Sequence, residues 1–162
     1  MPAPNGRVVA GVASAALLIA GGLVTKWEGV RYTPYRDTGG ILTVCYGHVG
    51  SDVVPGRSYT QDECEALKRA DLAIANAAVK RCLTMPLLPQ IEGALTSAVY
   101  NAGPKVVCGS TLQKMAQLNN WPGACNQLNR WKYIGRTVSP GLENRRMDEA
   151  AVCLGMALAN ET

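Results

Sequence analysis

Six cysteines, Cys45, Cys64, Cys82, Cys108, Cys125 and Cys153, are scattered from residue 45 onward, and none forms a Cys-x-x-Cys pair. A zinc centre needs clustered nitrogen and sulfur ligands, and with His48 the sole histidine the spacing offers none. An even number of scattered cysteines reads better as disulfides, hence an oxidising compartment outside the cytoplasm. Buried free thiols are the alternative. The 162 residues suit one domain with room for a terminal appendage. At 48% hydrophobic and 17% charged, the chain can build a packed core and is not expected to be disordered. Phenylalanine is absent, so Trp27, Trp121, Trp131 and six tyrosines supply the aromatic bulk. The net charge of +4 is too weak to indicate nucleic acid as a partner. It suits work on an anionic polymer, or ordinary solubility.

Val8 to Val24 runs 17 residues without a charge, the lower limit for spanning a bilayer. Its strongly apolar residues are Val8, Val9, Val12, Leu17, Leu18, Ile19, Leu23 and Val24; most of the rest is Ala and Gly. At roughly −0.3 to −0.6 kcal/mol each, the strong residues supply about −2 to −5 kcal/mol of insertion free energy, before Gly and Ser14 subtract. Insertion is therefore marginal. A cleaved signal peptide needs a small-x-small site after the apolar core; Ala13-Ser14-Ala15 comes too early and Gly21-Gly22-Leu23 is a poor site. A permanent anchor would be richer in Leu and Ile. A weak, uncleaved signal-anchor that can later leave the bilayer fits best, and a buried core helix is the plainer alternative. Arg7 precedes the segment while Lys26 and Arg31 follow it, so charge bias alone does not orient it. The cysteines all follow it, which places that side in the periplasm.

The rest of the chain has no repeat, low-complexity tract or long linker. Gly29 to Tyr59, rich in Gly, Thr, Tyr and Val, reads as short strands with a hairpin turn at Gly39-Gly40. From Thr60 the period becomes helical. Thr60-Gln61-Asp62-Glu63 matches a capping box, and Leu67, Asp71, Ile74 and Ala78 then share a face. Asp71 on an apolar face requires a partner. Ile91, Leu95, Ala98, Val99 and Ala102 make a second stripe, closed by Gly103-Pro104. Further helices are expected after Ser110, over Pro122 to Trp131, and from Ser139-Pro140 to about Leu158. The fold class is α+β: a small β lobe over residues 30–59 and a larger helical lobe, with a cleft between them.

Hydrolysis of a glycosidic bond needs a proton for the leaving oxygen and a second carboxylate across the cleft. Glu28 and Asp37 lie nine positions apart, a spacing that means little alone. Around them the chain reads Glu28-Gly29, then Asp37-Thr38-Gly39-Gly40-Ile41-Leu42-Thr43-Val44-Cys45-Tyr46-Gly47-His48. Glu, Asp, Thr and Gly-His at these intervals resemble the catalytic signature of phage-type lysozymes, glycoside hydrolase family 24. Tyr59-Thr60 through Asp71 looks like that family's long-helix start, and Tyr100-Asn101-Ala102-Gly103 like its cleft-helix end. Gly141-Leu142-Glu143-Asn144-Arg145-Arg146 with Glu149 looks like its C-terminal pattern. The resemblance covers residues 25 to about 155 and implies a lysozyme-like fold.

It also implies roles. Glu28 would be the general acid, kept protonated by partial burial. Asp37 would activate water or stabilise the oxocarbenium-like transition state, and Thr43 would orient that water. Asn101 is a candidate sugar-binding residue or a helix C-cap. Arg145 and Arg146 would contact peptide or carboxylate parts of the wall, or be solvated helix charges. His48 resembles the family's structural histidine, with Asp71 as its acid. On the resemblance and the layout of the chain, the disulfides would pair Cys45 with Cys64, Cys82 with Cys108, and Cys125 with Cys153. The implied activity is hydrolysis of the β-1,4 bonds of peptidoglycan between N-acetylmuramic acid and N-acetylglucosamine, without cofactor or metal, by a monomer.

The apolar segment ends only a few residues before Glu28, so the two cannot behave independently. The whole resembles phage endolysins with a signal-anchor-release segment, which implies export to the host periplasm, a wait on the inner membrane, and activation on release. Residues 1–24 would be that segment and 25–162 the catalytic domain. On release, Leu17 to Trp27 would form the first helix of the enzyme, with Gly21-Gly22 a flexible point. A lytic transglycosylase is the enzymatic alternative, though that chemistry needs no second carboxylate. A non-catalytic, membrane-tethered wall-binding protein is the other.

Overall fold

A computed structural model of the chain describes residues 14–156. The first part of the apolar segment, Val8 to Ala13, lies outside the described residues; the last helix, expected to run to about Leu158, ends already at Cys153, where Leu154 caps it and Gly155 turns the chain at φ +71°. Helix α1 (Ala15–Glu28) is capped by Ser14, whose Oγ accepts from the Leu17 amide at 3.3 Å. It buries Ala16, Ala20, Leu23 and Val24, while Leu18 stays 66% exposed. Its buried face lies on α3 (Pro89–Ala102), and the two backbones nearly touch. A Cβ added to Gly93 would lie 2.8 Å from both the Ala16 carbonyl oxygen and the Ile19 Cβ. The expected boundary between residues 24 and 25 thus falls inside one helix: the C-terminal part of the apolar segment is built into the domain. Among the described residues, no helix is long and apolar enough to cross a membrane.

Gly29, at φ +63°, releases the chain from α1 into a three-stranded antiparallel sheet. The strands β1 (Arg31–Arg36), β2 (Leu42–Cys45) and β3 (His48–Val49) lie in chain order. Tyr35 stands opposite Thr43 and Arg36 opposite Leu42, with the ladder irregular between Arg31 and Tyr35. The β1–β2 turn runs through Asp37 to Gly40, where the Gly40 amide donates to the Asp37 carbonyl at 2.9 Å.

Helix α2 (Gln61–Cys82) begins at the expected capping box, with Thr60 and Glu63 bonding reciprocally. Its buried stripe only partly follows the one read from periodicity. Ala78 is buried as expected and Leu67 and Asp71 are half-buried, but Ile74 is 71% exposed, and Cys64, Lys68, Leu72, Ala75, Asn76 and Val79 join the buried face. The helix bridges two cores: Cys64 and Leu72 join α1 and the sheet, whereas Ala75, Ala78 and Val79 join the helical lobe. A helix shared in this way turns its apolar face along its length. The second stripe holds at Ile91, Leu95, Ala98 and Val99, but Ala102 is exposed beside the Gly103 cap.

The helical lobe continues with α4 (Thr111–Gln117), capped by Ser110, then α5 (Trp121–Asn126) with a 3-10 turn to Arg130. A small hairpin, β4 (Tyr133–Ile134) with β5 (Thr137–Val138), precedes α6 (Pro140–Cys153). Each strand of that hairpin is two residues long, too short for an alternating pattern to show in the sequence. Tyr100 packs against both cores and donates to the Tyr46 carbonyl at 2.6 Å, tying the lobes together. The disulfides join Cys45–Cys64, Cys82–Cys108 and Cys125–Cys153. They pin β2 to α2, the end of α2 to the segment after α3, and α5 to α6.

Candidate active site

Glu28 is the last residue of α1, which fixes its carboxylate at the junction of helix, sheet and α3. The side chain is 21% exposed. Its Oε1 accepts from Arg145 Nη1 at 2.5 Å and lies 3.5 Å from Asn101 Nδ2. Among the described residues Oε2 has no donor, and it faces Gly47: a Cβ built there would be 3.1 Å away. Gly47 has φ +77°, a conformation that side chains rarely adopt, so the backbone approaches the carboxylate unobstructed. Gly47 also lines a groove of about 330 Å³ between the lobes, with Val49 on the sheet side and Asp71, Ile74, Tyr100 and Pro104 on the helical side.

The last turn of α1 is held from α6 as well. Asp148 accepts from Trp27 Nε1 at 3.1 Å and pairs with Lys26 at 2.9 Å. Lys68 on α2 donates to Thr25 Oγ1 at 2.9 Å. Four consecutive residues of α1, Thr25 to Glu28, are therefore each tied to a neighbouring element.

Asp37 and Thr43 stand on the hairpin that follows. Asp37 Oδ1 accepts from the Gly39 and Ile41 amides at 2.9 and 2.8 Å. These bonds set its rotamer and leave Oδ2 without a donor among the described residues. Thr43 is 4% exposed, and its hydroxyl donates to the Ile41 carbonyl at 2.9 Å. With its proton engaged, the oxygen can only accept from a further partner.

His48 forms a clamp with two carboxylates. Nδ1 lies 2.7 Å from Asp71 on α2 and Nε2 3.1 Å from Asp52. Burial alone would lower the pKa of the imidazole, but the bonds to Asp71 and Asp52 together outweigh it and hold His48 above its ordinary value. His48 lowers Asp52 in return. Asp71 thus has the partner that its place on a helix requires, and the clamp fastens the sheet to α2.

The two arginines differ from expectation. Arg145 is 3% exposed and Arg146 fully buried, so neither is a solvated helix charge. Arg145 Nε donates to Glu149 at 3.0 Å, Nη1 to Glu28, and Nη2 to the Ser97 carbonyl at 3.4 Å. Every nitrogen is committed inside the protein, so Arg145 stands behind Glu28 rather than open to the wall. Arg146 donates to Glu149, to Asn101 Oδ1 and, through Nε, to the Trp131 carbonyl at 3.1 Å. Burial pushes the Arg146 guanidinium down, and Glu149 counters it. Asn101 is not the helix cap, which is Gly103; it stays exposed beside Glu28. Ser97 is the member that sequence reasoning missed; Glu149 was noted only as part of the C-terminal pattern, with no role, although it stands at helical spacing from both arginines. Among the described residues no group of His, Cys, Asp or Glu is arranged to hold a metal.

This geometry can be set beside known proteins. The Phage lysozyme family model matches residues 25–149. The SAR-endolysin of bacteriophage PS119 is 41% identical over 159 residues, covering 94% of this chain and 95% of its own. The endolysin of Escherichia coli O157:H7 phage FAHEc1 superposes with a TM-score of 0.79 at 28% identity, covering 88% of this chain and 94% of that one. The crystal structure of the active form of the P1 phage endolysin Lyz gives 0.74 at 26% identity, covering 93% and 88%.

Proposed function

The chain belongs to the phage lysozyme family, a muramidase that lyses the host cell wall, and on that premise we propose that Glu28, Asp37 and Thr43 carry its chemistry. The observation that carries the assignment is the asymmetry of the Glu28 carboxyl: one oxygen is clamped by Arg145, while the other faces Gly47, a residue that itself lines the groove between the lobes. That leaves Oε2 as the oxygen free to hold and hand over a proton. The proton leaves Oε2 for the oxygen of the breaking glycosidic bond. Asp37, its rotamer set by two amides, offers Oδ2 to the water or to the positive charge developing on the sugar. Thr43 accepts a hydrogen bond from that water. Asn101, exposed next to Glu28, contacts the sugar.

Turbidity clearing of chloroform-treated Gram-negative cells tests this. Glu28→Gln should lower the rate by about 10² to 10⁴-fold, and Asp37→Ala should lose most of it. Full clearing by Glu28→Gln would refute the assignment.

The partner before lysis is the inner membrane. A relative 41% identical over nearly the whole chain bears the name SAR-endolysin, and Val8 to Val24 has the marginal hydrophobicity such a segment needs. In the tethered state this segment lies in lipid, the chain that follows it stands on the periplasmic side, and Glu28 cannot reach Arg145. On release, Ala15 to Val24 leave the bilayer and become the body of α1. One stretch of sequence serves as anchor and then as the helix that delivers the acid.

A further inference from the structure

Glu149 on α6 is fully buried and lies between two arginines. A carboxylate taken out of water is costly unless each oxygen is bonded, and both are. Oε1 accepts from Ser97 Oγ at 2.8 Å and from Arg145 Nε at 3.0 Å, while Oε2 accepts from Arg146 Nη1. Two routes then run from Glu149 to a single atom. Arg145 Nη1 donates to Glu28 Oε1 at 2.5 Å. Arg146 Nη2 donates to Asn101 Oδ1, and Asn101 Nδ2 lies 3.5 Å from the same Oε1.

We propose that Glu149 is a positioning residue for the hydrolysis: by orienting Arg145 and Arg146 it clamps Oε1 of Glu28, so that the proton is delivered from Oε2. The inference rests on the reading of Glu28 as the acid. A guanidinium is flat and rigid, so a carboxylate on its Nε sets where Nη1 points. With Ser97 holding Glu149 and the Ser97 carbonyl under Nη2, Arg145 has one orientation available. Its remaining donor meets Glu28 only when the last turn of α1 is seated. Without Glu149, Glu28 would be the carboxylate left to both buried guanidiniums among the described residues, and the carboxyl would swing toward them and away from Gly47.

The test measures kcat and KM on purified peptidoglycan across a pH series for the full chain and for Glu149→Gln, Ser97→Ala and Glu28→Gln, with thermal unfolding of each. Glu149→Gln should lower kcat by about 10²-fold with KM nearly unchanged, the penalty of a misplaced reacting group. The alkaline limb of its rate profile should move to lower pH, since loss of the buried negative charge favours an ionised neighbour. Ser97→Ala, which removes one donor, should lower kcat about 3- to 10-fold. Wild-type kcat and profile in a folded Glu149→Gln would overturn the proposal. So would a loss that only tracks the folded fraction with the profile unmoved. If Glu149→Gln does not fold, Ser97→Ala decides: reduced kcat at constant KM supports the role, and unchanged kcat overturns it. An active Glu28→Gln would instead reject the acid itself, whereas an inactive Glu28→Gln beside a fully active Glu149→Gln rejects only the positioning.

Discussion

At the scale of single residues, the sole histidine makes stability depend on pH in a defined direction. The folded pKa of His48 is raised by Asp71 and Asp52, so its protonated form is favoured in the native state. That contribution is complete below the unfolded value of about 6.5 and is lost as pH rises through the folded value. Asp71→Asn should therefore cost about 1.5–3 kcal/mol in mildly acidic solution, the worth of a hydrogen bond to a charged group. The cost should shrink in alkaline solution. Urea unfolding at both pH values measures it, and an equal loss at the two would contradict the ion-pair account. That Asp71 needs a partner was legible from its place on an apolar helix face, and that the partner is His48 came from the family resemblance, not from spacing alone. The destination of the arginines was not legible. Nothing in a helix of mixed charge shows that Arg145 and Arg146 point inward, since that depends on where α1 and α3 present Glu28, Ser97 and Asn101.

Among the elements, the seam between α1 and α3 is the most demanding. Gly93 admits the Ala16 carbonyl and Ile19 where a methyl group would collide at 2.8 Å. Gly93→Ala should raise the helix propensity of α3 and yet weaken the protein, because α1 must move away and withdraw Glu28 from Arg145. Expected are a fall in melting temperature of several degrees, equivalent to about 1–3 kcal/mol of overpacking, and a loss of clearing activity larger than the loss of folded protein. Helix ends were legible from caps: Thr60 with Glu63, Ser110, and Ser139 before Pro140 all act as read. The faces of helices were legible only where one neighbour covers them. On α3 the stripe holds, while on α2 the two cores rotate it and leave Ile74 in solvent.

For the molecule as a whole, the two lobes meet along α2 and through Tyr100, and the disulfides close loops that are 19, 26 and 28 residues apart in sequence. None of these bonds involves α1, so the proposed membrane-held stage is compatible with all three disulfides already closed. Gly22 lies on α1 with nothing within 4 Å of where its Cβ would be. Gly22→Leu should therefore leave the released enzyme as active as wild type. It should also add apolar weight to the segment, by roughly 0.3–0.6 kcal/mol on the insertion scale before the gain from removing Gly. The expected result is more protein in the membrane fraction and delayed lysis of an expressing culture, with unchanged clearing by the purified protein. Unaltered timing would argue against a membrane-held stage. The lobed architecture and the pairing of cysteines followed from chain layout and family pattern, but the incorporation of residues 15–24 into the catalytic body is a matter of tertiary packing.

The backbone-to-backbone seam at Gly93 has a corollary for how such a protein can diverge. Ala16 and Ala20 are buried on the inward side of α1, whereas Leu18 and Gly22 lie exposed on its outward side. Under the proposed membrane-held stage, dwell time on the bilayer and the fit of the first helix would answer to opposite sides of one element, so that the timing of lysis could drift by changes on the outward side alone.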